Sequence, residues 1–369
     1  MVFDKPGIDI PIRFRHSARD ADVSRRPTAD PPPGPGHISE IERKMSGTIN
    51  FAIGHQNHTP YTGIKAPASK YLVPRTVLPV SAASVSLWTW RALTHIKQVR
   101  EVLTLIAGVP LYSTMVQGDP RFAYKFLTDD YLARGFSISE RASCFIHHYK
   151  RLRDHFPSRL LRQIMHDEVT LHDLLDVDSR FALTMGLSHP YDNEGELSLR
   201  LRVEGDIVFV LSFTIVPGWV VNSQAAEAIL ITRLQGIKGC YRQISDATRA
   251  LHDVGPAQLL LSALQGVSAA FGICAIAAVS ADRQTSYKKA ADRDFKQAYD
   301  HFFAGLGLLK SAAGFFSSEV PIDQKPLKSI KRGHKLRTKE KRAFKHRIQM
   351  DCAAFFAGFG PVSPHRLDS

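Results

Sequence analysis

The sequence predicts an α+β fold: a helical N-terminal half, then a mixed, mainly antiparallel sheet with flanking helices. Two observations carry this. Apolar residues recur near a 3.6-residue period from Ser86 to about Ile164, and from Leu197 onward the period falls to two or gives way to short continuous apolar runs.

In the first half, Leu87, Trp88, Leu93, Ile96, Val99, Leu103 and Ile106 fall near a 3.6-residue period that predicts an amphipathic helix, with Arg91, Lys97 and Arg100 among the intervening polar positions. GVPLY predicts its end, because Gly108 can take a left-handed cap and Pro110 cannot continue a helix. Ser137 or Ser139, with glutamate in the first turn, opens a second helix through Tyr149 to Phe156. A third follows Pro157 through Leu160, Leu161 and Ile164.

In the second half, LSLRLRV (197–203) alternates, EGD supplies a turn, and IVFVLSFTIV (207–216) runs apolar to Pro217-Gly218, which together predict a hairpin. AILITRL (228–234) reads as a third strand, and the next helix is expected only near Pro256. Ala257 to Ala281 carries no formal charge and is longer than the roughly 20 residues that span a bilayer. Gln258, Ser262, Gln265 and Ser268 at helical spacing, then β-branched residues between Ile273 and Val279, predict instead a helix followed by a buried strand. Asp294 to Phe303 predicts a helix ending at GLG (305–307), and GFFSSEVPI (314–322) an edge strand.

Three regions follow. Residues 1–80, with stretches such as DPPPGPGHISE, predict a disordered extension, because apolar residues are too sparse to offset chain ordering. Residues 85–322 predict the folded domain, helical over 85–190 and α/β over 195–322, and 323–369 predict a basic tail. Lys325 to Arg347 holds eleven Lys or Arg and one acid, which is +10 of the chain's formal +13, so the sequence pI of 9.6 belongs to that segment and not to the domain. Such a run implies salt-sensitive contact with an anionic membrane or nucleic acid, or a solubilising extension.

Four cysteines without a CxxC pair exclude a zinc ribbon and a disulfide framework, and imply a reducing compartment. Asp4, Lys5, Asp9, Arg13 and Arg15 break any signal-type apolar run, so the expected location is cytoplasmic.

The segments GVPLYSTMVQGDPRFAYKFLTDDYLARGFSISERASCFIHHY (108–149), ILITRLQGIKG (229–239), ATRALHDVGPAQLLLSALQGVSAAFG (247–272) and IAAVSA (276–281) occur in this order, and as a set they resemble the VirK/YbjX family of bacterial proteins. The resemblance covers roughly residues 90 to 330. It implies a bacterial cytoplasmic protein, peripheral at the inner membrane at most, with an indirect link to virulence or to envelope and host-peptide resistance. It supplies no catalytic residues.

The element order from 197 to 322 is also similar to the second half of acyl-CoA acyltransferases of the GNAT type. In those a strand ends in a Gln/Arg-x-x-Gly-x-Gly/Ala turn, whose amides meet a pyrophosphate at a helix N-terminus. Arg233, Gln235 and Gly236 begin that motif, while Lys238 and Gly239 depart from it by setting the second glycine one residue late. These five residues are the candidate acyl-CoA contacts; the alternative is that the glycines form a turn or bulge after a buried strand. Tyr299 in YDHFFAGLG is the candidate proton donor to a leaving thiolate, and its alternative is a core aromatic beside Phe295, Phe302 and Phe303.

His147 and His148 are adjacent on a helix and point about 100° apart, which argues against a shared metal. HDEVTLHD (166–173) lacks HExxH spacing and reads as solvated helix surface. Two functions remain open: an acyl-CoA-dependent acyltransferase-like protein, or a non-enzymatic accessory protein whose body binds an envelope or regulatory partner.

Overall fold

Local capping and turn chemistry set the helical elements, which the computed structural model describes within residues 82–175, 180–188 and 193–359. The predicted disordered extension lies outside these residues. α1 (Ala82–Thr94) and α2 (Ile96–Ala107) are separated at His95, where the periodicity predicts one continuous helix. Gly108 closes α2 with a right-handed φ of −75°, not a left-handed cap. Pro110 then opens α3 (Pro110–Gly118), because the first helical turn has no use for the N–H that proline lacks. Ser137 caps α4 (Ile138–His155) as expected: its hydroxyl accepts from Glu140 N at 3.2 Å, and the Glu140 carboxylate accepts from Ser137 N at 2.7 Å. α5 (Ser158–His166) follows Pro157.

The region predicted to stay helical to residue 190 turns to strand at β1 (Glu168–Leu175) and β2 (Arg180–Leu187), which pair antiparallel. HDEVTLHD therefore lies largely on a strand and not on a helix face. The physical reason is a period of two at Phe181, Leu183 and Met185, all buried, with Val169 buried across from Met185. β3 (Leu197–Val203) and β4 (Asp206–Pro217) form the predicted hairpin, and β5 (Glu227–Gly236) pairs antiparallel with β4. α6 (Tyr241–Ala250) begins straight after β5, where no helix is predicted before Pro256. Its sequence YRQISDATRA sets Tyr241, Ile244, Ala247 and Ala250 three apart, but Ile244 is the one large aliphatic among them, so the periodic signal is weak there.

α7 (Pro256–Ala270) and β6 (Ala275–Val279) are the predicted helix and buried strand, and no single helix among the described residues is long and apolar enough to cross a membrane. α8 (Asp292–Ala298) and α9 (Asp300–Gly305) meet at Tyr299. β7 (Leu309–Lys310) and β8 (Phe315–Glu319) complete a sheet of order β1-β2-β3-β4-β5-β6-β8-β7, antiparallel except between β5 and β6. β8 is thus an inner strand, and two-residue β7 takes the edge assigned to it. The fold is α+β, as the sequence predicts.

The predicted basic tail contains α10 (Lys335–Ala357). Phe344, Ile348, Cys352 and Phe356 recur every fourth residue and are buried, so one side of the helix packs on α7. Gly266 permits the approach: a Cβ there would stand 2.3 Å from the carbonyl oxygen of Gln349. All described residues belong to one compact unit.

If α10 is part of the core, Ile348→Ala lowers the free energy of unfolding by about 2–4 kcal/mol, the usual cost of a large-to-small change at a buried site. Urea denaturation measures it, and a change below about 0.5 kcal/mol would mark the helix as a mere appendage.

Candidate functional site

β5 and β6 run parallel but pair over only three positions, Ile229 to Ile231 against Ile276 to Ala278. β5 continues five residues further, to Gly236, without a strand on that side. The first of these, Thr232, has no partner in the β4 register, since Ser212 faces Arg233 and Phe213 faces Ile231. That bulge turns the local backbone. The Thr232 hydroxyl donates to the Glu194 carbonyl, and the Thr232 carbonyl accepts from the Gln284 side-chain amide. Two residues on, Leu234 N donates to the Tyr299 hydroxyl at 3.3 Å, at the long end of the range for such bonds. Gln284 is fully buried and its Oε1 has no partner among the described residues, so the parting holds an unsatisfied acceptor.

The candidate residues from the sequence are distributed along this edge. Arg233 turns toward Glu194, with Nε 3.7 Å from its carboxylate, and Nε also donates to Gln235 Oε1 at 3.2 Å. Glu194 further accepts from the Thr285 hydroxyl at 2.8 Å. Tyr299 is buried among Phe295 and Phe303, so it is at once a core aromatic and the group on the Leu234 amide. Gly236 ends the strand. Beyond it Ile237 N donates to Val208 O, Cys240 N closes a turn onto Ile237 O, and Gly239 takes φ +88°, a conformation that favours glycine.

Lys238 and Gly239 are exposed in this turn, which delivers the chain directly into α6. The amides of Lys238, Gly239, Tyr241, Arg242 and Gln243 meet no acceptor among the described residues, and Arg242 is almost fully solvent-facing. The helix needed to complete an anion-binding turn, expected no earlier than Pro256, is therefore present one residue after Cys240.

A second polar group lies between the sheet and α4. The Glu196 carboxylate has no exposed surface and accepts from Lys125 Nζ, Tyr131 Oη and Tyr149 Oη, each at 2.5 Å. Burial pushes its carboxyl up, but the Lys125 ammonium and the hydrogen bonds outweigh that and hold it below the usual carboxylate range. Burial and then this carboxylate push both tyrosine hydroxyls well above their ordinary range. His148, also fully buried, accepts from Ile215 N at its Nδ1, a strand amide just past the last β3 partner of β4. Its Nε2 has no partner among the described residues. Burial lowers the imidazole to about 3.

Two other histidines are committed to carboxylates. His147 Nε2 meets Glu227 at 3.0 Å, and His172 Nδ1 meets Asp351 at 3.2 Å. No group of three or more His, Cys, Asp or Glu side chains among the described residues could hold a metal ion. Sequence reasoning missed Glu194, Thr232, Gln284 and Thr285. Only a short acidic stretch before an alternating strand, Asp192, Glu194 and Glu196 ahead of LSLRL, hinted at Glu194, and nothing marked the other three.

Taken together, the class of protein is an α+β domain whose helical layer is keyed to a mixed sheet through a buried carboxylate, and whose parallel strands separate beside a turn-helix junction. The family model for a protein of unknown function (DUF535) matches residues 83–350, and the chain belongs to that family, which is the VirK/YbjX family. No curated protein and no solved structure matches it.

The buried imidazole sets a pH dependence. An unfolded histidine titrates near 6.5, whereas His148 stays neutral down to about 3, so below 6.5 the unfolded chain binds a proton that the folded chain does not. Stability from this group is therefore complete above about pH 6.5 and falls as the pH drops, by about 2 kcal/mol at pH 5. Glu196, whose carboxyl is depressed, starts to lose its contribution only as the pH falls below its ordinary value of 4.5, so above that value the His148 effect is free of it. His148→Gln keeps an acceptor for Ile215 N and does not titrate. Its unfolding free energy should lose the slope of about one proton between pH 6 and 4 that the parent shows; an unchanged slope contradicts the assignment.

Proposed function

We propose that the chain binds an acyl-CoA, or another phosphorylated acyl carrier, along the free edge of β5 and transfers the acyl group to an acceptor. The observation that carries this reading is the separation of β5 from β6 after Ile231, which leaves a carbonyl and an amide two residues apart without strand partners, each bonded instead to a side chain, Gln284 and Tyr299. In acyltransferases of the GNAT type such a gap receives the amide-bearing pantetheine arm. Here an arm N–H has Gln284 Oε1 to donate to, and an arm carbonyl takes the place of the Tyr299 hydroxyl on Leu234 N.

The phosphates then fall at the 236–243 junction. The unmatched amides there carry partial positive charge, and Lys238 and Arg242 add formal charge. Gln235 lies on the strand leading into the turn, and Arg233 holds Glu194 in place. In the transfer step the acceptor attacks the thioester carbon and loses its proton to Glu194, the carbon–sulfur bond breaks, and the departing thiolate takes a proton from Tyr299. The link to bacterial envelope or virulence functions that the family likeness implies belongs to this proposal.

A second reading has its own support. Tyr299 and Gln284 already fill part of the parting, which suits an accessory protein that binds a partner through its surface and performs no reaction.

Thermal melting with acyl-CoA separates the two. Ligand at about 100 times its Kd stabilises by about 2.7 kcal/mol, a shift of several degrees. Lys238→Glu together with Arg242→Glu, both exposed, should weaken binding at least about tenfold and flatten its salt dependence. Tyr299→Phe should slow thiol release from the thioester while leaving binding in place. No shift at millimolar acyl-CoA removes the acyltransferase reading and leaves the accessory one.

A further inference from the structure

Helices α1 and α2 leave large apolar side chains uncovered. Leu87, Trp90 and Leu93 on α1 are 46%, 66% and 64% exposed, and Ile96, which opens α2, is 53% exposed. They recur every third residue, so the α1 members lie along one side of the helix. The one charged residue of α1, Arg91, turns away to Leu127 O and Asp129, each at 2.7 Å, and so does not break this apolar surface. Apolar side chains grouped in this way on a folded chain mark a contact surface more often than chance exposure does.

Ile96 also belongs to a groove of about 530 Å³ between α2 and α4. Lys97, Arg100, Lys150 and Arg153 line it against a single acid, Glu101. Only Arg153 has an ion-pair partner among the described residues, Asp154 at 2.6 Å. Uncompensated cations thus stand directly beside uncovered leucines, an isoleucine and a tryptophan.

We infer that this α1–α2 surface seats the protein on an anionic lipid bilayer, with headgroup phosphates in the groove and Trp90, Leu87, Leu93 and Ile96 in the interfacial layer. Two signals are needed for stable attachment, buried apolar area and attraction to anionic headgroups, and both are present between Leu87 and Arg100. Tryptophan favours the interface because its ring is apolar and its N–H remains wet. A nucleic acid would match the cations but leave the apolar row in water, so the lipid surface accounts for more of what is exposed. The inference is independent of the acyl-carrier site, and it places the membrane contact away from the basic 325–347 segment to which the sequence assigned it.

The test is co-sedimentation of the full chain with vesicles of phosphatidylcholine alone or mixed with phosphatidylglycerol. Sedimentation is expected with the anionic vesicles and not with the neutral ones. Lys97→Glu with Arg100→Glu should weaken it by about fivefold or more per cation lost. Trp90→Glu with Leu93→Glu should weaken it at least about tenfold, even at low salt. Lys335→Glu with Lys339→Glu on α10 should leave it within about twofold. All six side chains are exposed, so unchanged melting curves certify the fold of each variant. The inference is overturned if neither vesicle sediments the chain, if the α10 variant alone loses binding, or if a DNA duplex displaces the vesicles.

Discussion

A carboxylate with no access to water has to be satisfied by the protein alone, and Glu196 is that carboxylate. Its three donors come from the segments around α3 and α4, while its own backbone leads into β3 and its N–H donates to Phe213 O and Thr214 Oγ1 on β4. The helical half and the sheet are therefore set in register by one ion. Removing a single donor leaves a buried charge short of a partner, which costs about 3–5 kcal/mol in comparable sites, whereas surface ion pairs such as Arg249–Asp246 contribute less than about 1. The His148–Ile215 bond serves the same junction from the neutral side, filling a strand amide that β3 is too short to reach.

That junction also places the candidate site. Glu194 precedes Glu196 by two residues, with Gly195 between, so the two carboxylates are carried by one short extended piece. One is sealed against α4. The other reaches Arg233 and Thr285 beside the β5 bulge. Anchoring Glu196 fixes where Glu194 can go, and the Thr232 hydroxyl on the Glu194 carbonyl ties the same piece to the free edge of β5. A polar cluster beside parted strands is thus held by groups whose own positions are determined by burial, which is the arrangement that binding geometry requires.

Legibility in the sequence followed the range of the forces involved. The capping box at Ser137, the β3–β4 hairpin and the helix-then-strand between 257 and 281 depend on neighbours a few residues away, and local pattern was enough. β1 was hidden because its polar positions are His and Asp, which read as helix surface. α6 was hidden because Ile244 is its one large aliphatic residue, its other apolar positions being two alanines and an exposed tyrosine. The site itself joins Thr232 to Glu194, 38 residues away, and to Gln284, 52 residues away, and no spacing rule links residues that only the sheet topology brings together. The turn glycines could be found from sequence, yet whether a helix follows them could not.

The basic run shows how charge counting misleads when geometry is absent. The sequence assigns its cations to a tail that touches an anionic membrane or nucleic acid, or only solubilises, but part of the charge has structural partners: Arg337 meets the Asp253 carboxylate, Lys341 donates to Asp253 O, and Arg342 to Lys325 O. Burial lowers the Lys345 ammonium, a sign that its stem lies against the protein. The apolar row at Phe344, Ile348, Cys352 and Phe356 explains why: an amphipathic helix in place on α7 brings its cations to the loop before α7 whether or not any polyanion is present. By contrast, the cations at Lys97, Arg100 and Lys150 have no ion-pair partner among the described residues, although the chain around them shows no unusual charge density. What distinguishes a binding surface is charge and apolar area left unmatched together, and in exposed apolar area α1 and α2, with Leu87, Trp90, Leu93 and Ile96, exceed α10, which uncovers Leu336 and Met350.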